Sequence, residues 1–149
     1  MSSEMRTLQR ARRKPMDIVL RLLVVAALVI DAIVHLQLAP GYQLAAPDGI
    51  GQGNLFRLEA AAALVVGLYV LVRGSRPAYA AALLVAGSAF VVVLLYRYVD
   101  IPAIGPIPSM YEPVWFFEKT LSAIAEGLGA VLAAVGFLRQ RRGIRKRRR

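Results

Sequence analysis

Residues 18–38 read IVLRLLVVAALVIDAIVHLQL, and this stretch decides the fold. A helix needs roughly 20 mostly apolar residues to cross a hydrocarbon core about 30 Å thick. The run has that length and is interrupted only by Arg21, Asp31 and His35. In lipid an unpaired backbone N–H or C=O has no water to bond, so the chain must close its own hydrogen bonds as a helix. Working outward, three more apolar runs meet the same test, residues 55–72, 77–96 and 114–138, the first of them only narrowly. The expectation is an all-α, integral-membrane four-helix bundle running up-down-up-down.

The connections agree with four spans. Residues 39–53 (APGYQLAAPDGIGQG) carry prolines and glycines that are expected to end the first helix. RGSR at residues 73–76 reads as a tight turn, with Pro77 suited to a first helical turn where its missing N–H costs nothing. Residues 97–113 contain Pro102, Pro106, Pro108 and Pro113 and read as a kinked, ordered loop. The chain thus divides into a basic segment at 1–17, a transmembrane domain at 18–138 and a basic tail at 139–149.

Charge gives the expected orientation. The chain is 58% hydrophobic, yet it holds 19 Lys and Arg against 9 Asp and Glu, for a net charge of +10. The two properties coexist because they are segregated. All basic residues except Arg57, Arg97 and Lys119 fall in the N-terminal segment, in the RGSR turn, in the tail, or at Arg21 just inside the first span. The positive-inside rule then predicts that both termini are cytoplasmic, in a bacterial inner membrane. The acids lean the other way: Asp31, Asp48, Glu59, Asp100, Glu112, Glu118 and Glu126 belong to the outer loops or to spans approached from that side. The basic start and apolar run also resemble a cleaved signal peptide, with Ala45–Ala46 as a small-residue site, but the run is longer than such a segment requires.

Five ionisable residues fall within the expected spans. Asp31 and His35 are four apart and share a helix face. Glu59 opens the second span. Glu118, Ser122 and Glu126 follow one stripe of the fourth, with Glu126 near the bilayer centre. A charged acid there costs on the order of 3 kcal/mol, so it must face the interior, be paired or be protonated. The functional reading is a proton or cation site, Asp31, His35, Glu59, Glu118 and Glu126 being candidates and His35 with Glu126 the best metal ligands. The bland reading is that the same groups form interhelical hydrogen bonds that fix the packing. One histidine cannot give bis-histidine haem ligation within one chain, and the chain has no cysteine for thiolate chemistry. No cofactor is predicted.

Small residues suggest how the helices meet. Ala63 and Gly67 continue the Glu59 stripe, and Gly129, Ala133 and Gly136 continue the Glu126 stripe, which predicts close packing of the second span on the fourth or a homo-oligomer interface. Tyr96, Tyr98, Tyr111, Trp115, Phe116 and Phe117 suit an interfacial aromatic belt. Arg12, Arg13, Lys14, Arg141, Arg142, Arg145 and Lys146 are expected to contact anionic lipid headgroups rather than nucleic acid.

The segments HLQLAPGYQ (35–43), NLFRLEA (54–60) and IPAIGPIPSMYEPVWFFEK (101–119), with the Ala125–Glu126 pair, resemble a group of small four-span membrane proteins of high-GC Gram-positive (actinobacterial) bacteria, most of them uncharacterised. His35, Glu112, Pro113 and Glu126 match its short motifs. The resemblance implies the architecture and no activity. There is no phosphate loop, nucleophile elbow, HExxH or GxGxxG, which argues against an enzyme. The sequence therefore favours an accessory or interaction subunit of a membrane assembly. A proton- or cation-binding transporter is the alternative, and a lipid- or quinone-linked enzyme is the weakest class.

Overall fold

The computed structural model describes the backbone of residues 3–147 and the side chains of residues 15–140. Four helices account for nearly all of it: α1 (Ser3–Ala45), α2 (Gln52–Arg73), α3 (Arg76–Tyr98) and α4 (Phe117–Arg147). Each contains a stretch long and apolar enough to cross a membrane. Among the described residues there is no strand, only an isolated bridge in which Ile104 and Ile107 exchange backbone hydrogen bonds of 2.9 and 3.0 Å. The basic residues assigned to lipid headgroups, Arg12, Arg13, Lys14, Arg141, Arg142, Arg145 and Lys146, have side chains outside the described residues.

Most of the large apolar side chains lie on the surface. Leu58, Val65, Leu68, Val72, Leu84, Val91 and Val131 all face outward. The core is built instead from small side chains: Ala60, Ala63, Ala78, Ala82, Ala86 and Ala133, with Val24, Leu28, Val70 and Tyr79. Large exposed apolar patches are a poor surface in water and an ordinary one in lipid. Between lipid-facing helices the hydrophobic effect contributes little, so small residues that allow close approach hold the bundle by van der Waals contact.

α1 packs on α2 and α4, and α3 packs on α4 and α2, while α2 and α4 make no contact among the described residues. This corrects the expected packing of the second span on the fourth. The α2 stripe serves α1, since a β-carbon at Gly67 would rest 3.8 Å from Leu28. The α4 stripe serves α1 and α3 together, with Gly129 facing Ala27 and Ala86, and Gly136 against the ring of buried Tyr79. A small-residue stripe marks a close approach but does not name the partner.

The helix ends differ from expectation at several places: α1 already runs from Ser3, α2 starts at Gln52 and α4 runs on to Arg147, and two further differences bear on the packing. α1 continues through Pro40 and Gly41 to Ala45 instead of stopping near residue 38. Proline removes one backbone bond from a helix, but a transmembrane helix can make this good through its neighbours. Here the extra turns are used: Gln43 Oε1 accepts the Asn54 N–H at 3.0 Å and so caps the start of α2, whose N-cap Gly51 has no side chain to do it. α4 begins at Phe117, not near 114. Glu112 ties down the segment before it, its N–H bonding Tyr96 O at 3.1 Å and its carboxylate accepting from Val114 N–H at 3.3 Å. The first helical bond there runs from Thr120 N–H to Phe116 O.

At the opposite end Gly74 closes α2 in a left-handed conformation (φ 50°), its N–H bonding Val70 O at 2.8 Å. Arg21 lies against it and donates to Leu71 O at 3.1 Å, satisfying a carbonyl that the helix end leaves open. Asp17 and Arg139 pair nearby at 2.9 Å, joining α1 to α4.

Candidate functional site

Polar side chains are buried mainly where α1 meets α4, toward the end of the bundle carrying the loops at 46–51 and 99–116. Asp31 is 1% exposed and Glu126 2% exposed. The i, i+4 spacing on α1 puts His35 beside Asp31, with His35 Nδ1 2.9 Å from Asp31 Oδ1. The imidazole is held edge-on against Phe56, ring centroids 5.0 Å apart, and Phe56 in turn packs on Tyr42 at 4.8 Å. One ligand atom from each of Asp31, His35 and Glu126 falls within 4.8 Å of the other two.

Ser122 joins the two helices. Its Oγ lies 2.9 Å from Asp31 Oδ1 and 2.9 Å from Glu126 Oε1. A hydroxyl carries one proton to donate, so Ser122 serves one carboxylate at a time. The second contact calls for a further proton, or for a cation between the acids. The remaining oxygens, Asp31 Oδ2 and Glu126 Oε2, are buried without a hydrogen-bond partner. An unsatisfied buried carboxylate oxygen is costly.

The expected five-residue cluster is therefore a triad with neighbours. Asp31, His35 and Glu126 converge, and Ser122 with them. Glu59 is half-buried on α2, with Oε1 unpartnered, and lines a separate cavity of about 270 Å³ that it shares with His35, Phe56, Ser88 and Met110. Glu118 does not join. At 3.6 residues per turn it lies roughly 80° around α4 from Glu126, whereas Lys119 lies roughly 20° away.

Lys119 is the residue that the charge pattern did not single out. It is 7% exposed and lies on the line of Ser122 and Glu126. Its ammonium donates to the backbone carbonyl of Glu112 and lies 5.6 Å from the ring centroid of Trp115. The i, i+3, i+7 spacing of Lys119, Ser122 and Glu126 is the signal that locates it. These three residues, His35, Glu112 and Gln52 line a second cavity of about 80 Å³, whose other walls are mainly apolar and aromatic, among them Val34, Leu38, Phe56 and Val92. Several waters' worth of space is thus available beside the triad.

The arrangement can hold a small cation or relay a proton. The chain matches no known family model, no curated protein and no solved structure.

Proposed function

We propose that this chain is an inner-membrane protein that binds one divalent first-row transition-metal ion, with Asp31, His35 and Glu126 as its protein ligands. The observation that carries the reading is the convergence of three ligand atoms within 4.8 Å of one another, from two buried carboxylates and a partly buried imidazole, each carboxylate having an unpartnered oxygen. Ligands about 2.0–2.2 Å from one ion lie at most about 4.4 Å apart, so the three side chains need to close in by a few tenths of an ångström or more to share it. Two carboxylates balance a divalent charge, which matters most where the dielectric is low. A mixed nitrogen and oxygen donor set suits borderline ions such as Zn²⁺, Fe²⁺ or Mn²⁺. Ser122 then orients both carboxylates, and Phe56 holds the imidazole.

The up-down-up-down course with both termini cytoplasmic fits this reading. Arg21, near the start of the apolar stretch of α1, bonds the last turn of α2; Gln43 near the end of α1 caps the start of α2; and Tyr79 near the start of α3 packs against Gly136, near the end of the apolar stretch of α4. The triad is then in the outer half of the membrane and is reached from outside, with Glu59 as a staging acid for the incoming ion.

The test is metal content by mass spectrometry after mild-detergent purification, followed by titration with Zn²⁺ and with Co²⁺, whose visible spectrum reports nitrogen and oxygen ligands. One equivalent of metal per chain, lost in Glu126→Gln and His35→Ala, is expected. No saturable binding of any of these ions to the folded wild-type chain sinks the proposal.

A second reading, an accessory subunit of a membrane assembly, draws on the apolar groove along α3 and α4 lined by Phe90, Leu94, Ile124, Leu128 and Val131. Mass spectrometry of intact complexes released gently from native membranes tests it. A stoichiometric partner supports it, and a lone chain or homo-oligomer counts against it.

A further inference from the structure

The apolar groove between α3 and α4 ends on a cation. α3 carries Phe90, Leu94 and Arg97 at i, i+4 and i+7, so the three share one helix face. Phe90 and Leu94 line the groove, and so does Trp115. The Arg97 guanidinium stands 5.8 Å from the ring centroid of Trp115 and 5.0 Å from that of Tyr98. Its Nε is shielded without an acceptor, and Arg97 belongs to neither ion pair found among the described residues. Lys119 also lies near the Trp115 ring, but it is buried, bonded to the Glu112 carbonyl, and lines the inner cavity together with Glu112. Arg97 is therefore the cation at the mouth of the groove.

The dimensions of the groove suit one leaflet. It is open, about 730 Å³, and its only polar side chains are Trp115 and Thr120, the Thr120 hydroxyl donating to the Phe116 carbonyl at 2.9 Å. Gly127 forms part of the floor, where a β-carbon would stand 3.2 Å from the Phe90 ring. Along α4 the groove runs from Thr120 to Val131, 11 residues, about 16 Å at 1.5 Å per residue. Half of a hydrocarbon core about 30 Å thick has nearly that depth. Tryptophan and arginine are the side chains that stand at the level of the headgroups, with apolar parts in the lipid and polar tips at its edge. A partner helix would have to bring an acid to the same depth to meet Arg97. A phospholipid carries its phosphate there by construction.

We propose that the groove between α3 and α4 binds one anionic phospholipid from the leaflet on the loop side, an acyl chain lying along Gly127 and Leu128 and the headgroup phosphate meeting Arg97. A zwitterionic lipid brings its own cation to Arg97 as well as a phosphate, so the site prefers a headgroup of net negative charge. The site does not depend on the cation reading above, and it competes with a partner helix for the same groove.

Trp115 is the chain's single tryptophan and reports the occupant. The full chain is reconstituted in phosphatidylcholine vesicles. Phosphatidylglycerol or phosphatidylcholine, brominated near the headgroup end of the acyl chain, is then added in steps, and quenching of the tryptophan gives their relative affinity. A preference of about fivefold for phosphatidylglycerol is expected, the weight of one basic residue beside an anionic headgroup. Arg97→Gln should abolish it. Gly127→Leu, which fills the groove with Arg97 in place, should abolish it too, and Ile124→Phe on the exposed wall decides the point if the leucine variant does not fold. Equal quenching by the two lipids in the wild-type chain overturns the proposal. So does a preference that survives groove filling, which leaves headgroup attraction alone, or one that survives Arg97→Gln. Loss of the preference on adding millimolar inorganic phosphate at constant ionic strength marks a free-anion site and also overturns it. Quenching by neither lipid marks a groove covered by a second copy or another protein, and the proposal falls.

Discussion

The two ends of this bundle are built on opposite principles. Toward the Gly74 turn, α1, α2, α3 and α4 close on one another through Val24, Val70, Ala78, Ala82 and Ala133, with the ring of Tyr79 seated against Gly136. Asp17, Arg21 and Arg139 at that end are half-exposed and each has a partner, and Arg76 lies over the ring of Phe137. Toward the longer loops, the interior holds Asp31, Glu126, Lys119 and Ser122 together with two cavities. Close-packed interiors leave few voids larger than a water, so that end gives up packing for room and polarity. The contrast teaches that one end is built for packing, while the other holds the polar groups and space in which the proposed ion would sit.

That contrast can be broken by substitutions that affect one property and spare the other. The largest expected effect is on metal affinity. Glu126→Gln or Asp31→Asn should weaken binding by more than the roughly 10–100-fold that loss of an outer-shell partner costs. Stability should hold or rise, because a buried uncompensated charge is removed. Titration calorimetry beside thermal unfolding in detergent reads both, and a large loss of stability with unchanged affinity would make the acids structural.

Gly136→Val should do the reverse. A β-carbon there meets the ring of Tyr79, which is 2% exposed and has nowhere to go. Overpacking of this kind costs about 1–3 kcal/mol, visible as a lowered unfolding midpoint, while the folded fraction keeps its metal affinity.

Ser122→Ala sharpens the comparison at the site. It removes the bridge between α1 and α4 without removing a ligand, and roughly tenfold weaker binding is expected. Full wild-type affinity would show that Ser122 does not orient the carboxylates. Arg21→Met tests the other end. It removes the bond to Leu71 O and should cost about 1 kcal/mol by denaturant titration, with metal affinity untouched. The smallest effect is expected for Glu118→Gln, which should change neither quantity; a clear loss of affinity would bring Glu118 back into the site.

Much of the site was legible from spacing. Asp31 and His35 at i, i+4 had to share a face, and Glu126 lay too deep in an apolar run to be an ordinary surface acid. Glu118 was misplaced because steps of four drift by roughly 40° each around a helix. Over two steps the stripe leaves the inward face, and Lys119 takes its place. Glu59 was placed on the right helix, but whether it joins Asp31 or faces a neighbouring cavity depends on the rotation of α2 against α1, which only packing sets.

The four apolar runs by themselves determined the number and nature of the helices, because length and composition decide whether a segment can satisfy its own backbone in an apolar medium. The prolines and glycines marked the loops but not where α1 stops, since Pro40 is carried by neighbours that the sequence does not name. Which helix touches which was decided by the tertiary structure alone. A stripe of alanine and glycine offers any partner the same close approach, so the choice of α1 for the α2 stripe, and of α1 and α3 for the α4 stripe, rests on the fit of particular side chains such as Leu28 and Tyr79. That choice brings Ser122 between Asp31 and Glu126, and it turns separate ionisable residues into one site.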